Sequence, residues 1–297
     1  MVTAWSTRSQ RDPHRTRAED RWSPHTLFYR STVQRLSRVS LCLASWAVCG
    51  CSAAWADERE RWNGPFGGAF SANVTVTSDY SYAGISQTKL GPAFQMGLDY
   101  KTADVSANVP LWLYLTAWGS TIDFPTTGSG VEIDLSGGLK FHAFDRKLSV
   151  DFGYIRYLYP GIPDTFAYDY GELSLNVGYD FGVASLTGRV RYSPNSFSSS
   201  GITWNKRALL AVPLPFLRFS ENLSFRAYGS LGNIWVERFV AYGIPTSDYW
   251  YWQLGLVTTA YGFDVTVAYT DTSIEPAGCG FTDYCAGRVF FSVSKTF

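Results

Sequence analysis

Four carboxylates, Glu132, Asp134, Asp151 and Glu172, are followed along the chain by four guanidinium groups, Arg189, Arg191, Arg207 and Arg226. Opposite charges brought to facing walls of one cavity can do either of two things. They can set up a transverse field that orients polar solutes and screens ions. They can also pair as internal salt bridges that brace the wall, for instance Glu172 with Arg189. Bracing is the simpler reading, because desolvated charges must find partners in any case. Other chemistry is scarce. Beyond residue 56 the one histidine is His142. General acid–base work needs a partner within hydrogen-bond reach, and a metal site needs several ligands. His142 therefore reads as a rim residue, and the chain is expected to hold no cofactor or metal and not to be an enzyme. A small barrel hydrolase is the less favoured alternative. Cys279 and Cys285, among Gly278, Gly280 and Gly287, read as a disulfide that staples a loop in an oxidising compartment. Trp250, Trp252, Tyr154, Tyr157 and Tyr159 read as aromatic girdle residues at the membrane interface, with a sugar-stacking track as the alternative.

The elements that must position these side chains are strands. Leu173, Leu175, Val177 and Tyr179 alternate with Glu172, Ser174, Asn176 and Gly178; Phe263, Val265, Val267 and Tyr269 alternate with Asp264, Thr266, Ala268 and Thr270. Val131, Ile133 and Leu135 alternate with Glu132, Asp134 and Ser136 in the same way. A period of two over such lengths cannot serve a helix, and repeated segments of about ten residues are the pattern of strands that meet lipid on one face and a lumen on the other. Segments fall at residues 69–81, 92–101, 109–119, 130–142, 147–158, 169–180, 182–192, 203–212, 222–233, 248–259, 261–271 and 287–297. The fold expected is all-β, a transmembrane antiparallel up-and-down barrel of about twelve strands (roughly 10–14), an even number as single-chain bacterial barrels require. The connections agree with periplasmic termini: short ones near Phe181, Ala260 and Ala143 to Arg146 alternate with long ones rich in Pro, Gly, Ser and Asp. The last strand ends on Phe297, the terminal aromatic by which outer-membrane barrels are recognised for assembly, with Lys295 placed low enough to snorkel to the interface.

Composition supports the same class. Aromatic residues make up 17% and charged residues 17% of the 297 residues, and mean hydropathy is −0.07. Beyond residue 56 no apolar run approaches the ~20 residues of a transmembrane helix; the longest, Leu209 to Leu217, is broken by Pro213 and Pro215. Residues 1–56 hold eight of the 25 basic and three of the 25 acidic residues, so acids exceed bases by five in the remainder, which disfavours nucleic acid as a partner. Basic residues to Arg38, an apolar stretch Val39 to Ala54, and Ala54-Trp55-Ala56 before Asp57 read as a secretory signal cleaved between Ala56 and Asp57. Its long basic region points to a translation start near Val33. A lipoprotein signal at Val48-Cys49-Gly50-Cys51 is the minority alternative. The expected organisation is signal peptide 1–56, a short periplasmic segment 57–68, and a barrel over 69–297.

One ordered set of short motifs remains. It runs Ser78-Asp79-Tyr80, Gly84-Ile85-Ser86-Gln87-Thr88, Gly91-Pro92-Ala93, Trp118-Gly119-Ser120, Glu132-Ile133-Asp134-Leu135, Tyr159-Pro160-Gly161 and Asp169-Tyr170-Gly171-Glu172. With Asp248-Tyr249-Trp250 and Ser294-Lys295-Thr296-Phe297 it resembles the TorF-type porins, a family long described as hypothetical outer-membrane proteins. The resemblance spans nearly all of residues 70–297. It departs at Ala83, where the family usually carries Arg. It implies an outer-membrane location and a pore, and it implies no particular substrate. The expected function is passive diffusion of small polar solutes or ions. The expected partners are outer-membrane lipid, lipopolysaccharide and the barrel assembly machinery. A structural or adhesive barrel without a conducting pore is the alternative.

Overall fold

The computed structural model describes residues 62–105, 110–217, 219–280 and 282–297. The expected leader, its cleavage point at Ala56 and Asp57, and residues 57–61 lie outside the described residues.

Twelve antiparallel strands close into a barrel. They are β1 Ala69–Thr77, β2 Ala93–Lys101, β3 Leu111–Phe124, β4 Gly128–Ala143, β5 Leu148–Leu158, β6 Tyr170–Asp180, β7 Ser185–Ser193, β8 Thr203–Pro213, β9 Leu223–Val236, β10 Asp248–Ala260, β11 Phe263–Thr272 and β12 Arg288–Thr296. Each pairs with its neighbour in sequence. β1 closes the ring, with Val76 facing Phe94 of β2 on one side and Val293 of β12 on the other. Closure matters because an open edge in hydrocarbon would leave backbone N–H and C=O groups without water or partner. Two departures from the alternation carry meaning. β1 stops at Thr77 because the chain then turns into the lumen. β3 and β4 run on to Phe124 and back from Gly128, because Ile122 and Phe124 are buried in an aromatic cluster inside the barrel.

The faces are reversed relative to a water-soluble protein. On β6, Leu173, Leu175 and Val177 are exposed while Glu172, Ser174 and Asn176 are buried. On β11, Val265, Val267 and Tyr269 are exposed while Thr266, Ala268 and Thr270 are buried. In water, such an apolar exterior would forfeit roughly 25 cal/mol for every Å² of it. A hydrocarbon surround removes that cost.

The two ends differ. Connections after odd-numbered strands meet at one end, here the loop end. Connections after even-numbered strands meet at the other, the turn end, with the start of β1 and the end of β12. The turn end carries exposed rings, Phe144, Phe181, Phe216, Phe219 and Tyr261, the distribution of an interfacial aromatic belt. Tyr261 and Gly262, at φ 53° and 79°, form its tightest connection, the two-residue form that matches the twist of paired strands. His142 lies here, stacked on Trp112 with ring centroids 5.0 Å apart. Lys295 also lies here, its Nζ 4.5 Å from the centre of the Phe263 ring. Of the residues read as girdle aromatics, Trp250 and Tyr154 face outward. The girdle reading is wrong for Tyr157 and Tyr159, which are buried inside the barrel; the two-residue period puts Tyr157 on the inner face with Ile155.

At the loop end Cys279 and Cys285 are joined by a disulfide with Cα atoms 6.1 Å apart. The Thr272 hydroxyl at the end of β11 donates to the Cys285 carbonyl at 2.8 Å. Closing so short a loop contributes ~2 kcal/mol through the unfolded state. The Cys279→Ser, Cys285→Ser double variant is therefore expected to expose the 273–287 connection to limited proteolysis while leaving the barrel's heat-modifiable migration on gels unchanged.

Candidate functional site: the lumen constriction

The segment between β1 and β2 turns inward. Residues Ser81–Tyr82 pair with Ile85–Ser86 as a short inner hairpin, whose tip, Ala83 and Gly84, has φ of 46° and 85°. Gly84 is required for two reasons. Its backbone is left-handed, and a Cβ there would overlap the Thr272 side chain and sit 3.1 Å from Tyr251 Cβ. The tip is thus pressed against β10 and β11.

Charge and hydroxyl groups hold the hairpin in place. Arg288, the first residue of β12, donates from Nε to Asp79 Oδ2 at 2.7 Å and from Nη1 to the Gly84 carbonyl at 2.9 Å. Asp79 Oδ1 accepts from Ser86 Oγ at 2.5 Å and Thr88 Oγ1 at 3.1 Å. Asp79 is 5% and Arg288 12% exposed, so the ion pair is buried. On the other side the Asp123 N–H donates to the Gln87 carbonyl at 2.8 Å, tying the hairpin to β3. Lys89 joins Asp123 at 2.8 Å. The motif residues Ser78-Asp79-Tyr80 and Gly84-Ile85-Ser86-Gln87-Thr88 are therefore the parts of one in-folded structure.

The hairpin spans the lumen. Tyr80 packs edge-on against Trp118 of β3, centroids 5.7 Å apart, in a buried cluster with Ile122, Ile155, Tyr157 and Tyr170. Ala83 and Ile85 pack on a second cluster that includes Ile234, Val236, Tyr249 and Tyr251. Tyr82 reaches β8, where Asn205 Nδ2 donates to its hydroxyl at 3.4 Å while Asn205 Oδ1 accepts from the Tyr251 hydroxyl at 2.6 Å. Burial pushes the Tyr80 and Tyr82 phenols well above their ordinary range, with Glu132 adding to the effect on Tyr80 and Glu172 on Tyr82. Both stay neutral.

All eight charges expected in the lumen lie on inner faces. Glu132 and Asp134 are buried on β4. Glu172 on β6 accepts from the Tyr157 hydroxyl at 2.8 Å and lies 3.7 Å from Arg191 Nη1 on β7. Arg191 Nη1 in turn donates to the Tyr157 oxygen at 2.9 Å. The pairing suggested from sequence, Glu172 with Arg189, is corrected: strand register sets Arg191 opposite Ser174, beside Glu172, and Arg189 opposite Asn176, one inner-face position further away. Arg189 instead faces Arg207 directly across β7 and β8. Asp151 accepts from the Tyr114 hydroxyl at 2.8 Å and faces Lys140 in register. Arg226 faces Pro213 near the turn end. Judged by position along their strands, Glu132, Asp134, Glu172 and Arg191 gather under the hairpin, while Asp151 and Arg226 are set apart near the turn end. Sequence reasoning missed Asp79, Tyr82 and Arg288 as site residues. The signal was present: Asp79 sits in the leading motif, and Arg288 shares the inner-face parity of Phe290 and Ser292.

The family described as a bacterial protein of unknown function, Gcw_chp, matches residues 63–297. No curated protein sequence matches. Among solved structures, an outer membrane channel from Pseudomonas putida F1 is similar at TM-score 0.45 and 11% identity, over 77% of this chain and 96% of that one. The NanC porin is similar at TM-score 0.44 and 9% identity, over 77% and 98%. LpxR from Salmonella typhimurium is similar at TM-score 0.41 and 8% identity, over 76% and 99%.

Proposed function

The chain belongs to the bacterial family Gcw_chp, of unknown function, and we propose that it is a porin-like channel of the outer membrane. In this reading small polar solutes or ions diffuse passively through a lumen narrowed by residues 78–92. One observation carries it: the closed barrel turns its apolar side chains outward and its charged and hydroxyl side chains inward. That arrangement satisfies hydrocarbon outside and water inside. An eight-stranded barrel is filled by its own side chains and a sixteen-stranded one leaves an open channel. Twelve strands lie between, and the hairpin takes up part of the remaining width.

The reading includes delivery by a signal peptide cleaved between Ala56 and Asp57, and recognition of the strand ending in Phe297 by the barrel assembly machinery. The finished barrel sits in lipid and lipopolysaccharide. The resemblance to TorF-type porins belongs to the same proposal. The chain is read as a non-enzyme; His142, stacked on Trp112 at the turn end, has the place of a rim residue. The span of the hairpin from β3 to β8 favours a second reading, a structural barrel that does not conduct. Purified, refolded protein in planar bilayers separates the two. Discrete unitary current steps in molar potassium chloride are expected, and silence in every salt and at every voltage would reject the channel.

A further inference from the structure

Arg189 and Arg207 are directly opposed in the register of β7 and β8, and both lie on the inner face. On β7 that face is Thr187, Arg189, Arg191; on β8 it is Thr203, Asn205, Arg207. Directly opposed residues on one face of an antiparallel pair hold their Cβ atoms about 5 Å apart, and like charges there repel. Such a pair is stable when something negative sits between the two groups. Among the described residues no acid forms an ion pair with Arg189 or Arg207. The described ion pairs are Lys89–Asp123, Arg146–Asp104, Arg156–Asp169, Arg191–Glu172 and Arg288–Asp79. Glu172, the buried acid of the neighbouring strand β6, is taken by Arg191 and the Tyr157 hydroxyl. Arg207 spends Nη2 on two neutral acceptors, Ser230 Oγ at 2.8 Å and Gln253 Oε1 at 3.2 Å. The Nε groups of both Arg189 and Arg207 are buried without a hydrogen-bond partner. Both side chains nevertheless keep part of their surface open.

We propose that Arg189 and Arg207 form an oxyanion-binding site in the lumen, for a small solute bearing a phosphate or carboxylate group. Its place in the fold is specific. The next inner-face residue of β8 toward the loop end is Asn205, which holds Tyr82 of the inner hairpin. The site therefore lies directly beneath the constriction, where a solute passing the hairpin would meet it. Two guanidinium groups presenting several N–H donors suit a group with two or three oxygens, and such charge-assisted bonds are about twice as strong as neutral ones. The site deepens the channel proposal by naming a solute class, and it rests on that reading only for the route by which the anion arrives.

The test is calorimetric titration of the detergent-folded barrel with inorganic phosphate. Wild type is expected to bind, and the Arg189→Gln, Arg207→Gln double variant to bind at least about tenfold more weakly, as loss of two charge-assisted contacts implies. The variant removes a repulsion, so it is expected to fold; unchanged heat-modifiable migration verifies this. Lys206→Gln is the control, since Lys206 carries the same charge one residue away on the outer face. It is expected to bind as wild type does. No phosphate binding by wild type, equal binding by the double variant, or a loss in Lys206→Gln equal to that in the double variant would each overturn the site. Binding that depends on the two arginines in a barrel that never conducts would leave the site standing and remove the channel. Conduction with arginine-independent binding would do the reverse.

Discussion

Arg288→Ala is expected to raise unitary conductance at least about twofold and to add current noise, with the barrel still folded. The inner hairpin is held mainly by one guanidinium that bridges the Asp79 carboxylate and the Gly84 carbonyl. Removing one partner of a buried ion pair leaves the other uncompensated and costs ~3–5 kcal/mol. The hairpin is a short two-by-two-residue ribbon, so the least costly relief is for it to leave the wall and carry Asp79 to water. Once it moves, Tyr82 releases Asn205 and the lumen loses the obstruction that the hairpin makes. The strands keep the ladders they form with one another, and the backbone bond from the Asp123 N–H to the Gln87 carbonyl lies outside those ladders. Two companion variants separate unpinning from general damage. Asp79→Ala with Arg288→Ala leaves no orphan charge, so stability returns toward wild type while conductance stays raised. Gly84→Val puts a side chain where Thr272 and Tyr251 already stand and at a φ of 85°, so it is expected to displace the tip with both charges intact. Planar-bilayer recordings of all three at one salt concentration decide the matter. Wild-type conductance throughout would mean that the hairpin does not limit flow.

Leu175→Arg is expected to destabilise the folded barrel by ~2–4 kcal/mol in lipid, the cost of a cation on the lipid face near the bilayer midplane. Leu175 is exposed on the outer face of β6, near the middle of the strand. Its neighbour Asn176 is inside and hydrogen-bonds Ser174 at 3.2 Å. Asn176→Ala removes a neutral lumen contact and is expected to cost no more than ~1 kcal/mol. Urea unfolding in phospholipid vesicles, followed by tryptophan fluorescence, gives both values. The ordering is what matters. In a water-soluble protein an arginine at an exposed position would be nearly neutral, and the inner-face change would be the larger.

The strands were legible because their signal is local. Each needs only its own two-residue period, and Phe263 to Thr270 or Glu172 to Tyr179 state it without help from the rest of the chain. Closure was legible only indirectly, through an even number of segments and alternating connection lengths. The constriction was not legible, because it depends on which face a non-strand segment meets. Ser78 to Thr88 carried a recognisable motif, yet its residues read as family resemblance until Arg288, far away in sequence, was seen to hold them. Tyr157 and Tyr159 looked like girdle residues because composition places aromatics at interfaces; only the parity of β5 turns them inward. The pairing of Glu172 with Arg191 needed the inter-strand register, which a single strand's pattern does not contain. Arg189 and Arg207 were legible as lumen charges for the same local reason as the strands, but not as a facing pair.

The account depends on the outward direction of the apolar side chains, and nitroxide labels placed singly at residues 173 to 177 of β6 in vesicle-reconstituted protein measure that direction. Collisions with oxygen, which concentrates in hydrocarbon, should peak at 173, 175 and 177, and collisions with a water-soluble nickel chelate should be greater at 174 and 176. Oxygen and nickel accessibilities that rise and fall together, or that favour oxygen at 174 and 176, would contradict the barrel as a membrane-spanning pore.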